Sequence, residues 1–271
     1  MTISVDQPSS LRLGMGLIGI GRRWGVTKTD VPHEAEVFSL LEYAVRLGVT
    51  FFDTAPAYGL SERRFGKFLR GLAKAERDRL FVATKFGEHW DPITQSTYVD
   101  HSYPALLRSL ETSFELLGGR IELLQVHKAT LDVLKHDDVQ RALELAATRG
   151  VPTFGASASD TDTLYFIADS ARFEFVQMPL NARNTNFAST ADHAIKRGKS
   201  VIVNRPFAMG QLIDFKQGSA DDVASLVQAF GYICSQVRKG VVLTGTKNRQ
   251  HLAQNVRAFK QASEQLNELR A

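Results

Sequence analysis

Short apolar runs alternate with longer stretches of helical period along the whole chain. The runs are RLGMGLI (12–18), VTFFD (49–53), LFVATK (80–85), IELLQVH (121–127), VPTFGA (151–156), FEFVQM (173–178), SVIVNR (200–205) and GVVLTG (240–245). Near-continuous apolar runs of this length are the signature of strands buried on both faces. Between them, apolar residues recur at helical spacing. Val37, Leu40, Leu41, Ala44 and Val45 share one face, as do Leu106, Leu110, Phe114 and Leu117. The fullest face is Val223, Leu226, Val227, Phe230, Ile233, Cys234 and Val237.

Strands alternating with helices predict a parallel sheet covered by helices. Eight such units in 271 residues favour a single α/β domain over 1–271, a closed (β/α)8 barrel. An open, doubly wound sheet is the competing arrangement. The longest stretches without period, 19–32 and 86–100, each follow a strand and are expected as βα loops. In a barrel such loops form the face that carries the chemistry.

One motif is misleading. GMGLIG (14–19) spells G-x-G-x-x-G, but the dinucleotide fingerprint requires a helix opening directly from it. Here the chain continues IGRRWGVTKTDVP, and the helical pattern starts only near His33, after Pro32. Gly14 and Gly16 are read instead as letting a barrel strand bend.

Composition narrows the function classes. The chain is 44% hydrophobic and 23% charged, which suits a full globular core. Its net charge of +4 is dispersed, with no basic run longer than a pair or triad. That argues against a nucleic-acid surface, which would concentrate its cations. Cys234 is the only cysteine, and neither CxxC nor HExxH occurs, so no intramolecular disulfide and no metal site are expected. MTISVDQPSS has neither the cationic start nor the apolar core of a secretion signal. No apolar run approaches membrane-spanning length. A cytoplasmic protein is expected, and a monomer, because no unusual exposed apolar stripe is evident.

Three of the predicted strands end in an ionisable residue: Asp53, Lys85 and His127. In a barrel all three share one rim. A buried Asp needs a partner, and Lys85 can be it. Tyr58 follows Asp53 by five positions, inside a turn. A lysine ammonium near a phenol favours phenolate and is expected to lower the tyrosine pKa from about 10. Such a tyrosine can protonate an oxyanion, and a neutral histidine can orient a carbonyl oxygen. A lyase or isomerase using Lys85 as a Schiff base is the alternative left open.

GVTFFDTAPAYGLSERRFGKFL resembles the G-x-x-x-x-D-T-A-x-x-Y-G-x-S-E-x-x-x-G signature of aldo-keto reductases almost position for position. VATKFG, IELLQVHKA, FGASASD, VQMPLNARN and GTKNRQHLAQNV resemble further segments of that family, in order. The resemblance implies a (β/α)8 barrel that binds NADPH in extended form and reduces aldehydes or ketones, or runs in reverse. It implies Tyr58 as proton donor, Lys85 tuning it, Asp53 holding Lys85, and His127 orienting the carbonyl. Some relatives are channel subunits, so a cofactor-binding regulatory protein with little turnover is the other alternative.

For the cofactor, the resemblance points to Gly16, Leu17 and Asp53, and to Ser157 and Gln177 at the nicotinamide amide. Ala158 stands where the family often has Asn, and Asn204 where an aromatic residue usually stacks on the nicotinamide. Arg205, Phe207 and Gly210 fall where the family lines the pyrophosphate. Thr246, Lys247, Asn248 and Asn255 fall at the adenosine phosphate end, with His251 at a frequent arginine position. Lys247 and Arg249 are expected to meet a 2′-phosphate, hence NADPH rather than NADH. Trp24, Phe86, His89 and Trp90 are the candidate substrate walls. Arg22 and Arg23 either attract an acidic substrate or face solvent.

Overall fold

The structure is a computed structural model that describes residues 10–25, 30–213 and 220–268. The reading of the amino-terminal segment, and of 26–29 within the 19–32 loop, lies outside the described residues. All eight predicted strands form: β1 (Leu11–Gly16), β2 (Phe51–Asp53), β3 (Phe81–Phe86), β6 (Leu123–Val126), β7 (Thr153–Ser157), β8 (Phe175–Pro179), β9 (Ser200–Asn204) and β10 (Gly240–Thr244). They pair in parallel and close in the order β1-β10-β9-β8-β7-β6-β3-β2. Helices lie between the barrel strands, so the closed (β/α)8 barrel replaces the open-sheet alternative. Among the described residues no helix is long and apolar enough to cross a membrane.

The period of two along each strand divides the core in two. Phe51, Ala83, Leu123, Phe175, Ile202, Val241 and Leu243 form a cluster of their own inside the barrel. Phe51 stacks on Phe81 at 4.9 Å between centroids, and Phe81 meets Phe175 at 5.9 Å. Their strand neighbours Phe52, Val82, Leu124, Val176, Val203 and Val242 belong instead to the larger outer cluster under the helices. Two residues beyond the inner cluster stand Asp53, Lys85, Gln125, Gln177 and Asn204. A polar layer therefore caps an aromatic plug at one end of the barrel.

Gly14 is explained by packing. A Cβ there would fall 2.6 Å from Val241 and 3.0 Å from Phe51, so the interior has room for hydrogen only. At Gly16 the nearest atoms would be 3.9 Å away. The bend expected of both glycines is not what requires Gly14. The chain after β1 also departs from the expected loop, because a single helical turn, Ile18–Gly21, follows Leu17. The long helix begins where expected, at Glu34–Arg46, with His33 as its cap and the His33 amide donating to Glu36 Oε2 at 2.8 Å.

Residues 86–100 run from the end of β3 towards the helix Tyr103–Leu116, as expected of a βα loop, but they have regular structure of their own. They hold an antiparallel hairpin, β4 (Glu88–Asp91) and β5 (Ser96–Val99). Asp91 closes it by accepting from the Ile93 amide at 2.8 Å and the Thr94 hydroxyl at 2.7 Å, an Asx-type turn. His89 stacks on its cross-strand partner Tyr98 at 5.1 Å. β4 packs against the Pro56–Tyr58 turn, which brings the hairpin to the rim where the polar layer lies.

Candidate active site

β2 and β3 are paired so that Asp53 lies beside Ala83, and Lys85 sits one pleat further along on the same inner face. Lys85 Nζ donates to Asp53 Oδ2 at 2.5 Å and to the Thr54 carbonyl at 2.9 Å. Gln125, the register partner of Lys85, donates from Nε2 to Asp53 Oδ1 at 3.0 Å. Both carboxylate oxygens are thus occupied, and the ion pair is 1–2% exposed. A pair this deep holds only because hydrogen bonds complete it. Gln125 was not singled out from the sequence, although the period of two counted back from His127 places it on the inner face.

Tyr58 closes the one-turn 3-10 helix Pro56–Tyr58, its amide donating to the Ala55 carbonyl at 2.9 Å. Gly59, at φ +63°, turns the chain away, and the Leu60 amide donates to the Gly21 carbonyl at 3.0 Å. Behind this turn Thr54 and Ser61 share a hydroxyl hydrogen bond of 2.8 Å, and Ser61 donates to the Leu17 carbonyl at 3.1 Å. These contacts lay the ring of the half-buried Tyr58 4.9 Å from Lys85 Nζ and edge-on to His127, with centroids 6.0 Å apart. His127 follows β6, its amide donating to the Phe86 carbonyl at 2.9 Å and its carbonyl lying 2.8 Å from His101 Nε2. Its Nδ1 lies 3.2 Å from Glu88 Oε2 but out of line for a hydrogen bond. The four candidate residues converge, and Gln125 and Glu88 join them.

The electrostatics differ from expectation at one point. Desolvation raises the Tyr58 phenol above its ordinary value; the Lys85 charge pulls it down and Asp53 pushes it back up. The lowering expected from Lys85 is therefore outweighed by burial, which is not visible in the sequence. Burial also disfavours the Lys85 ammonium, but Asp53 and Tyr58 more than offset it and its pKa lies above the usual lysine value. His127 is held well below 6.5 by burial and by the surrounding cations Lys85, Lys128 and Arg22. At neutral pH the site is a neutral phenol, a neutral imidazole and a charged lysine.

The far arc of the rim is neutral. Ser157 and Gln177 are register partners on β7 and β8, and the Ala158 amide donates to the Gln177 carbonyl at 3.1 Å. The Gln177 side-chain oxygen and the Asn204 side-chain oxygen are both buried without a hydrogen-bond partner. Orphaned acceptors of this kind are costly and mark a place for a donor. A ligand group carrying N–H donors is what such acceptors could receive.

Past β9 the backbone is unusual. Arg205, Ala208 and Met209 have φ between 47° and 59°, and Gly210 has φ +100°. Asn181 Nδ2 holds the loop by donating to the Arg205 carbonyl at 2.9 Å. Phe207 points into the core, edge-on to Phe230 at 5.0 Å, and Leu17 is fully buried, so these two candidates can offer a ligand only their backbone.

At the last helix, Arg249–Glu268, Asn248 caps its own chain, accepting from the amides of Gln250 at 2.7 Å and His251 at 3.2 Å. Thr246 accepts from the Asn248 amide at 3.1 Å. Lys247 Nζ donates to the Asp30 carbonyl at 2.9 Å, and Arg249 donates to Ser39 at 3.1 Å while lying 4.7 Å from the Tyr43 ring. Asn255 is 5% exposed and spends its amide on Thr244 Oγ1 at 2.6 Å, tying helix to strand.

The substrate candidates separate. Phe86 is fully buried in the outer cluster, because it neighbours the inward Lys85 on β3 and so faces the helices. It is not a pocket wall. His89 is committed to the hairpin, its Nε2 lying 3.0 Å from the Asp100 carbonyl. Trp24 and Trp90 each hold their ring 5.3 Å from the Arg22 guanidinium carbon.

A family model described as Aldo/keto reductase family matches residues 12–226. Among curated proteins, the chain is 25% identical to an L-galactose dehydrogenase of Arabidopsis thaliana over 74% of its length and 63% of that protein's. It is 27% identical to an aldo-keto reductase of Schizosaccharomyces pombe whose name specifies NADP(+), over 43% of this chain and 33% of that protein. The matched region thus spans less than two thirds of either relative. Among solved structures, a putative aldo-keto reductase from Pseudomonas aeruginosa superposes with a TM-score of 0.77 at 27% identity, covering 94% of this chain and 90% of that one. With a matching family model over most of its length and a barrel of the same architecture, the chain belongs to the aldo/keto reductase family.

Proposed function

We propose that the chain, acting as one barrel domain over 1–271, is an NADPH-dependent oxidoreductase that interconverts an aldehyde or ketone with its alcohol. The observation that carries this reading is the meeting of Asp53, Lys85, Tyr58 and His127 on one rim of the barrel. A phenol that is neutral at rest is a proton donor in waiting. In reduction, the Tyr58 O–H gives its proton to the carbonyl oxygen as negative charge develops there. The resulting phenolate is stabilised by the adjacent Lys85 ammonium, which Asp53 and Gln125 hold in place. His127, kept uncharged, offers a ring N–H to the same oxygen without competing for the proton. In the reverse direction Tyr58 takes the alcohol proton.

Hydride transfer at carbon is the chemistry a nicotinamide dinucleotide supplies when bound. Ser157, Gln177 and Asn204 would hold its carboxamide, the last two through their unpaired oxygens. Gly16 leaves open backbone on the same rim, and the loop that holds the left-handed residues Arg205, Ala208, Met209 and Gly210 is suited to receive a pyrophosphate through backbone N–H groups. Thr246, Lys247 and Asn248 would take the adenosine end. The positive charge of Lys247 and Arg249 favours a 2′-phosphate, hence NADPH.

The test is NADPH oxidation against a panel of aldehydes, repeated in reverse with sugars and other alcohols. Tyr58→Phe should lower kcat by about 10²- to 10⁴-fold while leaving the NADPH Kd within about threefold. Near-normal turnover in that variant sinks the mechanism, and equal affinity for NADPH and NADH sinks the cofactor preference.

A further inference from the structure

The sequence leaves Arg22 and Arg23 undecided between substrate and solvent; the structure separates them. Arg23 is exposed and paired with Asp30. Arg22 is half-buried, beside the candidate active site. Its backbone ends the Ile18–Gly21 turn, which lies directly against the turn bearing Tyr58. A Cβ added at Gly21 would fall 1.8 Å from the Tyr58 carbonyl oxygen, so the two turns touch through bare backbone. The Leu60 amide bonded to the Gly21 carbonyl at 3.0 Å fixes their register.

The side chain is held in an uncommon way. Trp24 and Trp90 approach the guanidinium to 5.3 Å each, within cation–π range. Such contacts steady a cation without using its N–H donors. Arg22 Nε is buried and has no hydrogen-bond partner, and among the described residues no carboxylate lies within salt-bridge distance of Arg22. The nearby Glu88 directs its oxygens to His127 Nδ1 at 3.2 Å and Lys128 Nζ at 3.9 Å. Counting formal charges on this side of the rim, Lys85 cancels Asp53 and Glu88 cancels one of Arg22 and Lys128, which leaves one cation in excess. The charge of Arg22 acts on both Tyr58 and His127, so it stands close to the groups that would grip a carbonyl.

We propose that Arg22 is the anion-recognition residue of the substrate site and that the preferred substrates carry a carboxylate besides the reacting carbonyl or alcohol, as oxo acids and hydroxy acids do. A guanidinium steadied by two indole rings keeps its N–H donors for a ligand, and its planar fork matches a planar carboxylate in a bidentate pair. Trp24 and Trp90 would hold the fork in orientation while the carbonyl lies at Tyr58 and His127. This inference rests on the proposed carbonyl reductase reading and names the substrate class of that site.

The experiment compares matched aldehydes with NADPH: succinic semialdehyde against butanal, and 4-carboxybenzaldehyde against its methyl ester. In the wild-type protein kcat/KM should be at least about tenfold higher for the acid of each pair, a single charge-assisted contact's worth. That preference should shrink as ionic strength rises, whereas the neutral aldehydes should show no such trend. Arg22→Met should bring the acid-to-neutral ratio close to one, chiefly through the KM of the acid, and Arg22→Lys should keep part of it. The ratio is insensitive to a general loss of folded protein, and the salt arm needs no variant. An acid preference absent from the wild-type protein, or unchanged in Arg22→Met, overturns the inference while leaving the reductase reading intact. Turnover of neither member of any pair by a protein that binds NADPH overturns the reductase reading, and the inference with it.

Discussion

The two arcs of the barrel rim are built on opposite plans. On β2, β3 and β6 the charged residues satisfy one another: Asp53 has both oxygens bonded, Lys85 is shared between Asp53 and Thr54, and the Gln125 amide nitrogen completes the set, with the Gln125 oxygen and His127 Nδ1 left unpaired at its border. On β8 and β9 the residues at equivalent heights, Gln177 and Asn204, carry buried oxygens with nothing bonded to them. The ion pair of the first arc is satisfied without a ligand, whereas the second arc has no such pair and its acceptors stay open. An internally closed network can hold a phenol and an ammonium in fixed relation before substrate arrives, which is what electrostatic preorganisation requires. An open set of acceptors costs stability in the free protein and returns it on binding. The division teaches that chemistry and cofactor capture are separable here, and substitutions can be chosen to strike one without the other.

Breaking the closed arc should have the largest effect on folding. Lys85→Met leaves Asp53 buried at 1% exposure with its cation gone, and loss of one partner of a buried pair costs about 3–5 kcal/mol. Urea denaturation at pH 7 should show that loss, together with abolished carbonyl reduction. Adding Asp53→Asn to Lys85→Met should recover much of the stability and none of the activity. A double variant no more stable than the single one would mean that the arc is not a coupled unit.

Behind the same arc a second acid sharpens the picture. Glu62 sits on the helix Ser61–Gly71, is 2% exposed, and accepts from the Thr84 hydroxyl at 2.6 Å on the outward face of β3. Burial pushes its pKa up to about 7, against the opposing pull of the Thr84 hydrogen bond and the Lys85 charge. The acid is thus raised in the folded state, so its favourable contribution is complete below the unfolded value of 4.5 and is lost as pH rises through about 7. A shift of this size corresponds to about 3 kcal/mol. Glu62→Gln mimics the protonated form, since its carbonyl oxygen can still accept from Thr84. The variant should gain stability over wild type progressively between pH 5 and 8, by about 2–3 kcal/mol at the upper end. Parallel stability-versus-pH curves for the two proteins would refute the assignment.

What could be read from the sequence follows from the same physics. The eight barrel strands were legible because each is buried on both faces and therefore continuously apolar. The hairpin was not, because Ser96, Thr97, Tyr98 and Val99 face solvent in large part and carry no core pattern. Asp53, Lys85 and His127 stood out as charges ending apolar runs. Gln125 did not, being neutral within LLQVH, and Phe86 was assigned to the wrong side; the alternation of inward and outward positions settles both. Resemblance pointed to residues such as Phe207 and Asn255 but said nothing of where their side chains turn. The Tyr58 pKa direction was misread because neighbours can be inferred from sequence while the depth of burial cannot.

The smallest effect belongs to the open arc, and its sign is what matters. Gln177→Leu removes a buried acceptor that has no partner in the free protein, although the side-chain amide goes with it. Replacing an unsatisfied polar group by an apolar one of similar volume is close to neutral for folding, so denaturation midpoints should stay within about 1 kcal/mol of wild type. Cofactor binding should behave differently. If the Gln177 oxygen receives the carboxamide of a nicotinamide, the variant should bind NADPH about tenfold more weakly by fluorescence titration, a loss of about 1–1.5 kcal/mol. It should also lose discrimination against an analogue in which that carboxamide is replaced by an acetyl group, because the donor no longer has an acceptor to meet. Asn204→Leu should repeat the pattern on the neighbouring strand. The contrast with Lys85→Met is the point of the pair: one substitution costs folding because it strands a buried, fully bonded carboxylate, and the other costs binding because its acceptor is met only by the ligand. A Gln177→Leu protein that unfolds as readily as Lys85→Met, or that binds NADPH as tightly as wild type, would erase the difference between the arcs.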